Sequence, residues 1–203
     1  MARGCQCNAL SAICFVVNVR ALQILWLFGA TLFVSGALLL GTLATGATYS
    51  INFVDIEGNK LSTADGHVTI VVVTTTADRE KARTVGDRVP DFCLGNPDYR
   101  MITVIQFTRR HMTIGRRVAT AFIRHRVREE AKRLQARYDA KRILRDASRD
   151  IFVATDFDGI VASQLGQPPG SNEFCVFVFG RTGELLAQWH DVPSADQLAG
   201  ILK

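Results

Sequence analysis

The sequence lacks any close grouping of cysteines or histidines of the kind that a metal site requires. The five cysteines are Cys5, Cys7, Cys14, Cys93 and Cys175. Only Cys5 and Cys7 lie close together, whereas a structural zinc site needs two close pairs of ligands. The four histidines are His67, His111, His125 and His190. Because they also show no ligand spacing, we predict surface or strand-end histidines, no metal and no cofactor.

Charged residues are absent from a long stretch near the amino terminus. No Asp, Glu, Lys or Arg occurs from 21 to 54. The apolar run in this stretch would span ~30 Å as a helix, which is the thickness of a bilayer core. Arg3 and Arg20 precede the run, and no acidic residue does. The pattern predicts a cytoplasmic leader over residues 1–20, a transmembrane anchor over residues 21–47 and an exported remainder in the periplasm or at the cell exterior.

A cleaved signal peptide is the alternative interpretation of this stretch. Thr45, Gly46 and Ala47 are the small residues that commonly precede a cleavage site. The apolar run is longer than the roughly 7 to 15 residues that are usual in a signal peptide. Retention as an anchor is therefore favoured, and cleavage after Ala47 stays open.

The basic residues are concentrated in one part of the chain. Fourteen of the twenty-four Lys and Arg lie between Arg109 and Arg149. Apolar residues three to five positions apart predict one enlarged basic helix over residues 113–148. Its predicted apolar stripe comprises Ile114, Val118, Phe122, Val127, Ala131, Leu134 and Tyr138.

Two interpretations of this basic helix remain open. Pairs spaced i,i+4 predict a solvated, salt-bridged helix, and each pair contributes only ~0.2 to 0.5 kcal/mol. These pairs are Arg126 with Glu130, Glu129 with Arg133, and Arg142 with Asp146. Alternatively, the cations contact anionic lipid headgroups or an envelope protein. The predicted contact residues are Arg116, Arg117, Arg124, Arg126, Arg128, Lys132, Arg133 and Arg137. Nucleic acid is not expected, because the helix lacks interleaved aromatic residues for base stacking.

The remaining elements alternate between strands and helices. The predicted elements are a hairpin over 51–66, a strand over 68–73, a helix from Asp78 to Val89, strands over 99–107 and 151–157, a short helix over 160–165, a hairpin over 174–189, and a last helix opened by a capping box from Ser194 to Gln197. The run over 68–73 is β-branched and short, as in a strand buried on both faces. Asp78 is expected to cap the helix that follows it.

The order of these elements and three sequence segments resemble the thioredoxin-like fold. The segments are FVDIEGNKLSTADGHVTIVVV, VATDFDGIVASQLG and FCVFVFGRTGELLAQWHDVPSADQLAGIL. The likeness is to peroxiredoxin-like and membrane-anchored thiol-disulfide exchange proteins, and it covers residues 51–203 apart from the enlarged basic helix. It implies a three-layer α/β/α domain around a central mixed sheet.

The resemblance also implies where an active site would lie. Such proteins carry a Cys-x-x-Cys motif, or a cysteine preceded by Thr-x-x, where the central strand meets its helix and the helix N-terminus lowers the thiol pKa. The equivalent positions here are Thr75, Thr76, Asp78 and Lys81, with Phe174 and Cys175 at the place of the family's cis-proline. Asp78 stands where the nucleophilic cysteine would be. Because a carboxylate cannot exchange disulfides, the family's chemistry is not expected at this position.

Two functions follow as hypotheses. The first is a membrane-anchored, redox-inactive binding or scaffolding module of a bacterial cell envelope. The second is a divergent thiol oxidoreductase, or a one-cysteine antioxidant enzyme, that uses Cys175 or Cys93. The first is favoured, because the apolar neighbours of Cys175 are expected to raise the pKa of its thiol.

Overall fold

The computed structural model describes residues 43–107, 113–168 and 171–203. All of them lie within one compact unit of the chain, Leu40–Lys203. The predicted leader and the predicted membrane anchor up to residue 42 fall outside the described residues. In the described ranges, no helix has both the length and the apolar character needed to cross a bilayer.

The elements of the described residues follow the predicted order closely. The strands are β1 (Asn52–Val54), β2 (Lys60–Ser62), β3 (Val68–Thr74), β4 (Tyr99–Gln106), β5 (Phe152–Asp156), β6 (Cys175–Phe179) and β7 (Leu185–Trp189). The α-helices are α1 (Arg79–Arg88), α2 (Thr113–Ala140), α3 (Ile160–Gln164) and α4 (Ala195–Leu202). Short 3-10 helices occur at Asp91–Cys93 and Ala147–Asp150.

Five strands form one mixed sheet in the order β5-β4-β3-β6-β7. β3 is parallel to β4, and β4 is parallel to β5. β6 is antiparallel to both β3 and β7. β1 and β2 form a separate antiparallel hairpin. This strand order, with helices following β3 and β4 and a hairpin before the last helix, confirms the predicted thioredoxin-like fold.

The central strand β3 is buried on both faces, as its β-branched sequence predicts. Ile70, Val71, Val72 and Val73 are each at most 2% exposed. Val71 and Val73 pack on the face covered by the β1-β2 hairpin and α3. Ile70 and Val72 pack on the other face, against α1 and α4. Full burial of one such side chain stabilises the fold by ~1.5 to 3 kcal/mol, so β3 holds both layers together.

Residues at the end of the predicted membrane span also contact the domain. Gly46 N donates a hydrogen bond to Leu185 O at 2.8 Å, and Leu185 N donates to Ala47 O at 2.9 Å. Gly183 lies beside this segment with φ of +84°, and a Cβ there would come within 2.4 Å of Tyr49 O. Gly46 and Ala47 therefore pair with the first residue of β7, and the described residues 43–47 form no helix.

The basic helix is shorter than predicted. α2 ends at Ala140 rather than near Ser148. Arg142 adopts a left-handed conformation with φ of 56°, and Ile143 N donates to Tyr138 O at 2.9 Å. This backbone pattern closes a helix by satisfying its last carbonyl groups. The end of the helix was not predicted from the sequence, because Arg142 occupies the position at which a glycine is usual.

The predicted pairing and apolar stripe of α2 also need correction. In the described residues, the acidic residues of α2 pair at i,i+3 spacing, Glu129 with Lys132 and Glu130 with Arg133, and none of the three predicted i,i+4 pairs forms. The stripe residues Ile114, Val118 and Phe122 are 79%, 66% and 57% exposed. Ile123 is buried in their place, against Ile56 and Val153. Because this half of α2 contacts the edge strand β5, Ile123 is buried rather than the predicted Phe122.

One ion pair between a buried arginine and a partly exposed aspartate ties the hairpin to the sheet. Arg100 on β4 donates to both carboxylate oxygens of Asp65, at 2.8 and 2.9 Å, and to Ser62 O at 2.7 Å. His67 Nδ1 lies 2.9 Å from Asp65. Although burial alone would raise the pKa of Asp65, the hydrogen bonds from Arg100 and His67 hold that pKa well below its usual range.

The Asp65→Asn variant should therefore be less stable, and the loss should depend on pH. Because the pKa of Asp65 is lowered in the folded state, its stabilisation is present above pH ~4 and is lost as the pH falls below that value. We expect a loss of about 1 to 2 kcal/mol at pH 7, since buried Arg100 keeps only neutral partners. Urea unfolding at pH 7 and at pH 3 measures the difference.

Asp98→Asn is the matched control. Asp98 also has a lowered pKa through a hydrogen bond from Arg181, but both side chains are about half exposed. The control should lose less stability than Asp65→Asn at pH 7. An equal loss in the two variants, or a loss in Asp65→Asn that does not shrink in acid, would contradict the role assigned to the pair of Asp65 with Arg100.

Candidate functional site

The junction between β3 and α1 is built from Thr75 and Asp78. Thr75 Oγ1 donates to Asp78 Oδ2 at 3.0 Å and accepts a hydrogen bond from Ala77 N at 3.2 Å. Asp78 is the N-cap residue of α1, but its side chain makes no capping hydrogen bond. The predicted capping role of its carboxylate is therefore wrong. The carboxylate accepts a hydrogen bond from the Thr75 hydroxyl instead.

Two other predicted positions meet at this junction. The Lys81 ammonium lies 5.5 Å from the centre of the Phe174 ring, and Lys81 also pairs with Asp191 at 3.3 Å. Phe174 itself is 4% exposed. Thr76 is exposed next to them. The strand end thus holds a hydroxyl, a carboxylate, an ammonium and an aromatic ring.

Cys175 lies next to this junction but faces the other way. It is the register partner of Val73, one residue before the end of β3. Successive side chains of a strand point to opposite faces. Phe174 therefore packs on the α1 face, whereas the Cys175 side chain packs with Val73 on the opposite face. The sequence suggested that Cys175 lies near Asp78. The backbone of Cys175 does lie beside the end of β3, but its thiol does not face α1.

The Cys175 thiol instead belongs to a polar cluster that sequence reasoning missed. Gln167 Nε2 donates to Cys175 Sγ at 2.8 Å, and His190 Nδ1 lies 3.3 Å from the same sulfur. Glu173 Oε2 is 3.9 Å from His190 Nδ1. Cys175 and Gln167 are buried, while Glu173 and His190 are exposed. We call these four residues the Cys175 cluster.

A β-bulge explains why the cluster was not predicted. Phe179 pairs with Leu185, but Val178 pairs with Ala187, so one extra residue is accommodated in β7. Without that bulge, Trp189 would stand opposite Cys175. With it, Val176 pairs with Trp189, and His190 comes to lie across from Cys175. The loop Gly180-Arg181-Thr182-Gly183 indicates a hairpin, but it does not reveal a register shift within the strands.

Burial disfavours the thiolate form of both described cysteines. Burial raises the pKa of the Cys175 thiol and the charge of Glu173 adds to that rise, while the hydrogen bond from Gln167 opposes both. Burial also raises the pKa of Cys93 to about 11. Cys93 packs in the apolar layer beneath α1 and α4. Both cysteines are free thiols.

A large cavity opens beside the strand end, between α1 and α2. Its volume is about 560 Å³. Thr74, Thr75 and Thr76 line one end of it, and Phe122 lines another part of the wall. The side chains of β4 that point to this face form the floor, among them Met101 and Ile105. The size matches that of small-molecule and peptide-anchor pockets.

Ion pairs join the two helices that border the cavity. Arg83 on α1 pairs with Glu130 on α2, and Arg137 pairs with Asp87 at 3.5 Å. Arg126 instead lies 5.1 Å from the centre of the exposed Phe122 ring. Six arginines and three acidic residues line the cavity, so its border carries an excess of positive charge.

The predicted basic contact surface is partly neutralised by neighbours. Arg116 donates to Asp158 at 3.1 Å, and Arg124 pairs with Glu57 at 3.3 Å. The pairs of Lys132, Arg133 and Arg137 with Glu129, Glu130 and Asp87 account for three further cations. Within the described ranges, Arg117, Arg126 and Arg128 form no ion pair.

Comparison with known proteins gives structural likenesses only. No family model matches the sequence, and no curated protein matches it. An exposed lipoprotein thioredoxin from Streptococcus pneumoniae superposes with a TM-score of 0.48 and 11% identity, covering 75% of this chain and 97% of that chain. StoA from Bacillus subtilis gives 0.46 and 13%, with 78% and 99% covered. A secreted thiol-disulfide isomerase from Corynebacterium glutamicum gives 0.48 and 12%, with 76% and 81% covered.

Proposed function

We propose that the chain carries a thioredoxin-like binding module that does not exchange disulfides. The observation that carries this proposal is the junction of β3 and α1, which holds the Asp78 carboxylate and the Lys81 ammonium. The family resemblance implies that these two residues take the places of the family's two cysteines. The Asp78 carboxylate is bound by the Thr75 hydroxyl. A carboxylate and an ammonium can bind a partner, but they cannot form or open a disulfide.

The cavity between α1 and α2 supports a binding role. It begins at the same strand end, at Thr74 to Thr76, and continues over the apolar floor formed by β4. An apolar group of a partner could fill it, and an acidic group of that partner would meet the arginines of the border. We therefore propose that the module binds an apolar segment that carries negative charge.

We further propose that the module works at the outer face of a bacterial membrane, held by an anchor within residues 21–47. Ile114, Val118 and Phe122 form an exposed apolar row on α2. Arg117 and Arg128 lie on the same helix and are exposed. An apolar row beside exposed cations suits contact with anionic lipid headgroups.

A thiol-dependent enzyme is the second candidate function, and the Cys175 cluster is the observation that favours it. His190 Nδ1 lies 3.3 Å from the thiol, and Glu173 is next to His190. A thiol, an imidazole and a carboxylate in this order can act as nucleophile, base and orienting group. The buried position and raised pKa of Cys175 oppose that role. Cys93 lacks a comparable polar neighbourhood among the described residues and is the weaker candidate.

Disulfide exchange should be absent from the wild-type domain and should appear when cysteines are restored. A fragment comprising residues 40–203 is expected to reduce insulin with dithiothreitol at the background rate. The double variant Asp78→Cys, Lys81→Cys is expected to raise that rate clearly, because its first thiol lies at the N-cap of α1, where the helix stabilises a thiolate.

The matched control is Asp78→Ser, Lys81→Ser, which makes similar changes without sulfur and should stay at background. Wild-type activity above background that disappears in Cys175→Ser would contradict the proposal and favour the thiol enzyme.

The cavity should bind a small apolar anion, and filling the cavity should abolish that binding. The probe is 8-anilinonaphthalene-1-sulfonate, which has aromatic rings and one negative charge. Gly86 lines the cavity, and a Cβ there would lie 3.6 Å from Met101 Cε. Gly86→Phe should therefore occupy the space, and losing the burial of one aromatic group, ~1.5 to 3 kcal/mol, weakens binding roughly tenfold or more.

Gly86→Ala is the matched control, because it leaves the cavity open and should bind the dye like the wild type. Fluorescence titration of the 40–203 fragment compares the three proteins. Equal dye affinity in Gly86→Phe and Gly86→Ala would show that the dye binds elsewhere.

Contact with lipid should depend on the exposed cations of α2. The triple variant Arg117→Gln, Arg126→Gln, Arg128→Gln is expected to bind vesicles of anionic lipid less tightly, with a loss of about 1 kcal/mol for each charge near the surface. Co-sedimentation of the 40–203 fragment at low salt measures the binding, and vesicles of neutral lipid are the control. Unchanged binding of the triple variant would remove α2 from the lipid contact.

A further inference from the structure

Three side chains of the Cys175 cluster are arranged like the ligands of a metal ion. The ligand atoms of Glu173, Cys175 and His190 all lie within 4.8 Å of one another. They come from two strand ends, since Glu173 and Cys175 precede and open β6 while His190 directly follows β7. Glu173 and Cys175 are two residues apart in an extended segment, so their side chains lie on the same face. The bulge in β7 brings His190 to that face as the third group.

The distances within the cluster fit a tetrahedral ion. With Zn–S of about 2.3 Å and Zn–N or Zn–O of about 2.0 Å, a tetrahedral site places its ligand atoms roughly 3.3 to 3.6 Å apart. Cys175 Sγ and His190 Nδ1 are 3.3 Å apart. His190 Nδ1 and Glu173 Oε2 are 3.9 Å apart. The Glu173 carboxylate lies within 4.8 Å of the other two ligand atoms and has to move closer to them to bind the same ion, and its side chain is exposed.

The neighbours of the three ligands favour the same arrangement. Ser171 Oγ donates to Gln167 Oε1 at 3.3 Å, which leaves Gln167 Nε2 to donate to Cys175 Sγ. Hydrogen bonds from neighbouring residues orient the ligands of metal sites, and Gln167 is placed to do so for Cys175. The Ser171 hydroxyl also accepts a hydrogen bond from Glu173 N at 3.2 Å, so one polar network holds two of the ligand residues.

Two of the three ligand side chains lie at the surface. The side chains of Glu173 and His190 are 66% and 67% exposed, whereas Cys175 is fully buried beneath them. The two exposed side chains therefore form the outer part of the site, and the sulfur forms its base.

We propose that Glu173, Cys175 and His190 bind one zinc-class divalent cation and leave its fourth position open to water or to a further ligand. The donor set of one thiolate, one imidazole and one carboxylate suits Zn²⁺, whereas Ca²⁺ and Mg²⁺ prefer sites built from oxygen alone. On binding, the ion replaces the proton of the Cys175 thiol, and that proton passes to solvent. His190 binds through an unprotonated Nδ1 and keeps its proton on Nε2.

This proposal is independent of the binding-module function. It concerns the face of the sheet opposite α1, and it uses neither the β3-α1 junction nor the cavity. It does compete with the second candidate function, because a thiolate bound to an ion is not a free nucleophile.

The test uses the full chain in detergent micelles with Cys5→Ser, Cys7→Ser and Cys14→Ser, so that Cys93 and Cys175 are its only cysteines. Cobalt(II) is the probe, because a thiolate ligand produces a charge-transfer absorption band in the near ultraviolet. We expect this band to saturate at one cobalt per chain and to disappear when zinc is added. It should be lost in Cys175→Ser and kept in Cys93→Ser, which changes the other buried thiol.

His190→Ala and Glu173→Gln keep the test decisive if Cys175→Ser does not fold, because both side chains are exposed. Loss of an outer-shell partner weakens metal binding roughly 10- to 100-fold. His190→Ala should weaken cobalt binding by more than that, and Glu173→Gln should weaken it by about tenfold. Lack of a thiolate band in the parent chain, or an affinity that neither exposed variant changes, would overturn the proposal.

Discussion

The pairing of β3 with β6 is the contact on which the rest of the structure depends. β3 is buried on both faces and forms hydrogen bonds to β4 on one side and to β6 on the other. Both faces of β3 must therefore be covered by other elements. α1 and α4 cover one face, and α3 and the β1-β2 hairpin cover the other. Because β6 is antiparallel to β3, the beginning of β6 lies beside the end of β3. The β3-α1 junction and the Cys175 cluster both lie at that meeting point.

Two adjacent residues at this point serve opposite faces of the sheet. Phe174 turns toward Lys81 and the β3-α1 junction, while Cys175 turns toward His190 and Gln167. The family resemblance implies that, in disulfide exchange proteins, the end of the central strand and the segment with the cis-proline form one active site. Here the sulfur lies on the other face from the helix that would activate it. This separation is the physical reason for proposing a binding role at the junction and a metal role at the cluster.

Much of the fold could be predicted from the sequence because the signals were local and strong. The β-branched run of β3, the hairpin at Gly58-Asn59 and the capping box at Ser194 each fix an element through nearby residues, and all three are present. The predictions were wrong where contacts between residues far apart in the sequence determine the structure. The end of α2 depends on a left-handed Arg142, and the buried face of α2 depends on its contact with β5.

The candidate site was predicted less completely for the same reason. The sequence placed Thr75, Asp78 and Lys81 at the junction, because strand and helix meet there along the chain. It gave no signal for His190 or Gln167, since their approach to Cys175 depends on the bulge in β7 and on a loop that returns over the sheet. The cavity between α1 and α2 also arises from tertiary packing, because α2 leaves part of β4 uncovered.

The central claim is that this thioredoxin-like domain has no reactive thiol, and differential alkylation tests it most directly. The 40–203 fragment, free of metal, would be treated with iodoacetamide near neutral pH while folded and again after unfolding, with the mass of each cysteine peptide as the readout. The account predicts that Cys93 and Cys175 react only after unfolding, because both are buried and burial raises the pKa of each. Fast and selective alkylation of Cys175 in the folded domain would contradict it.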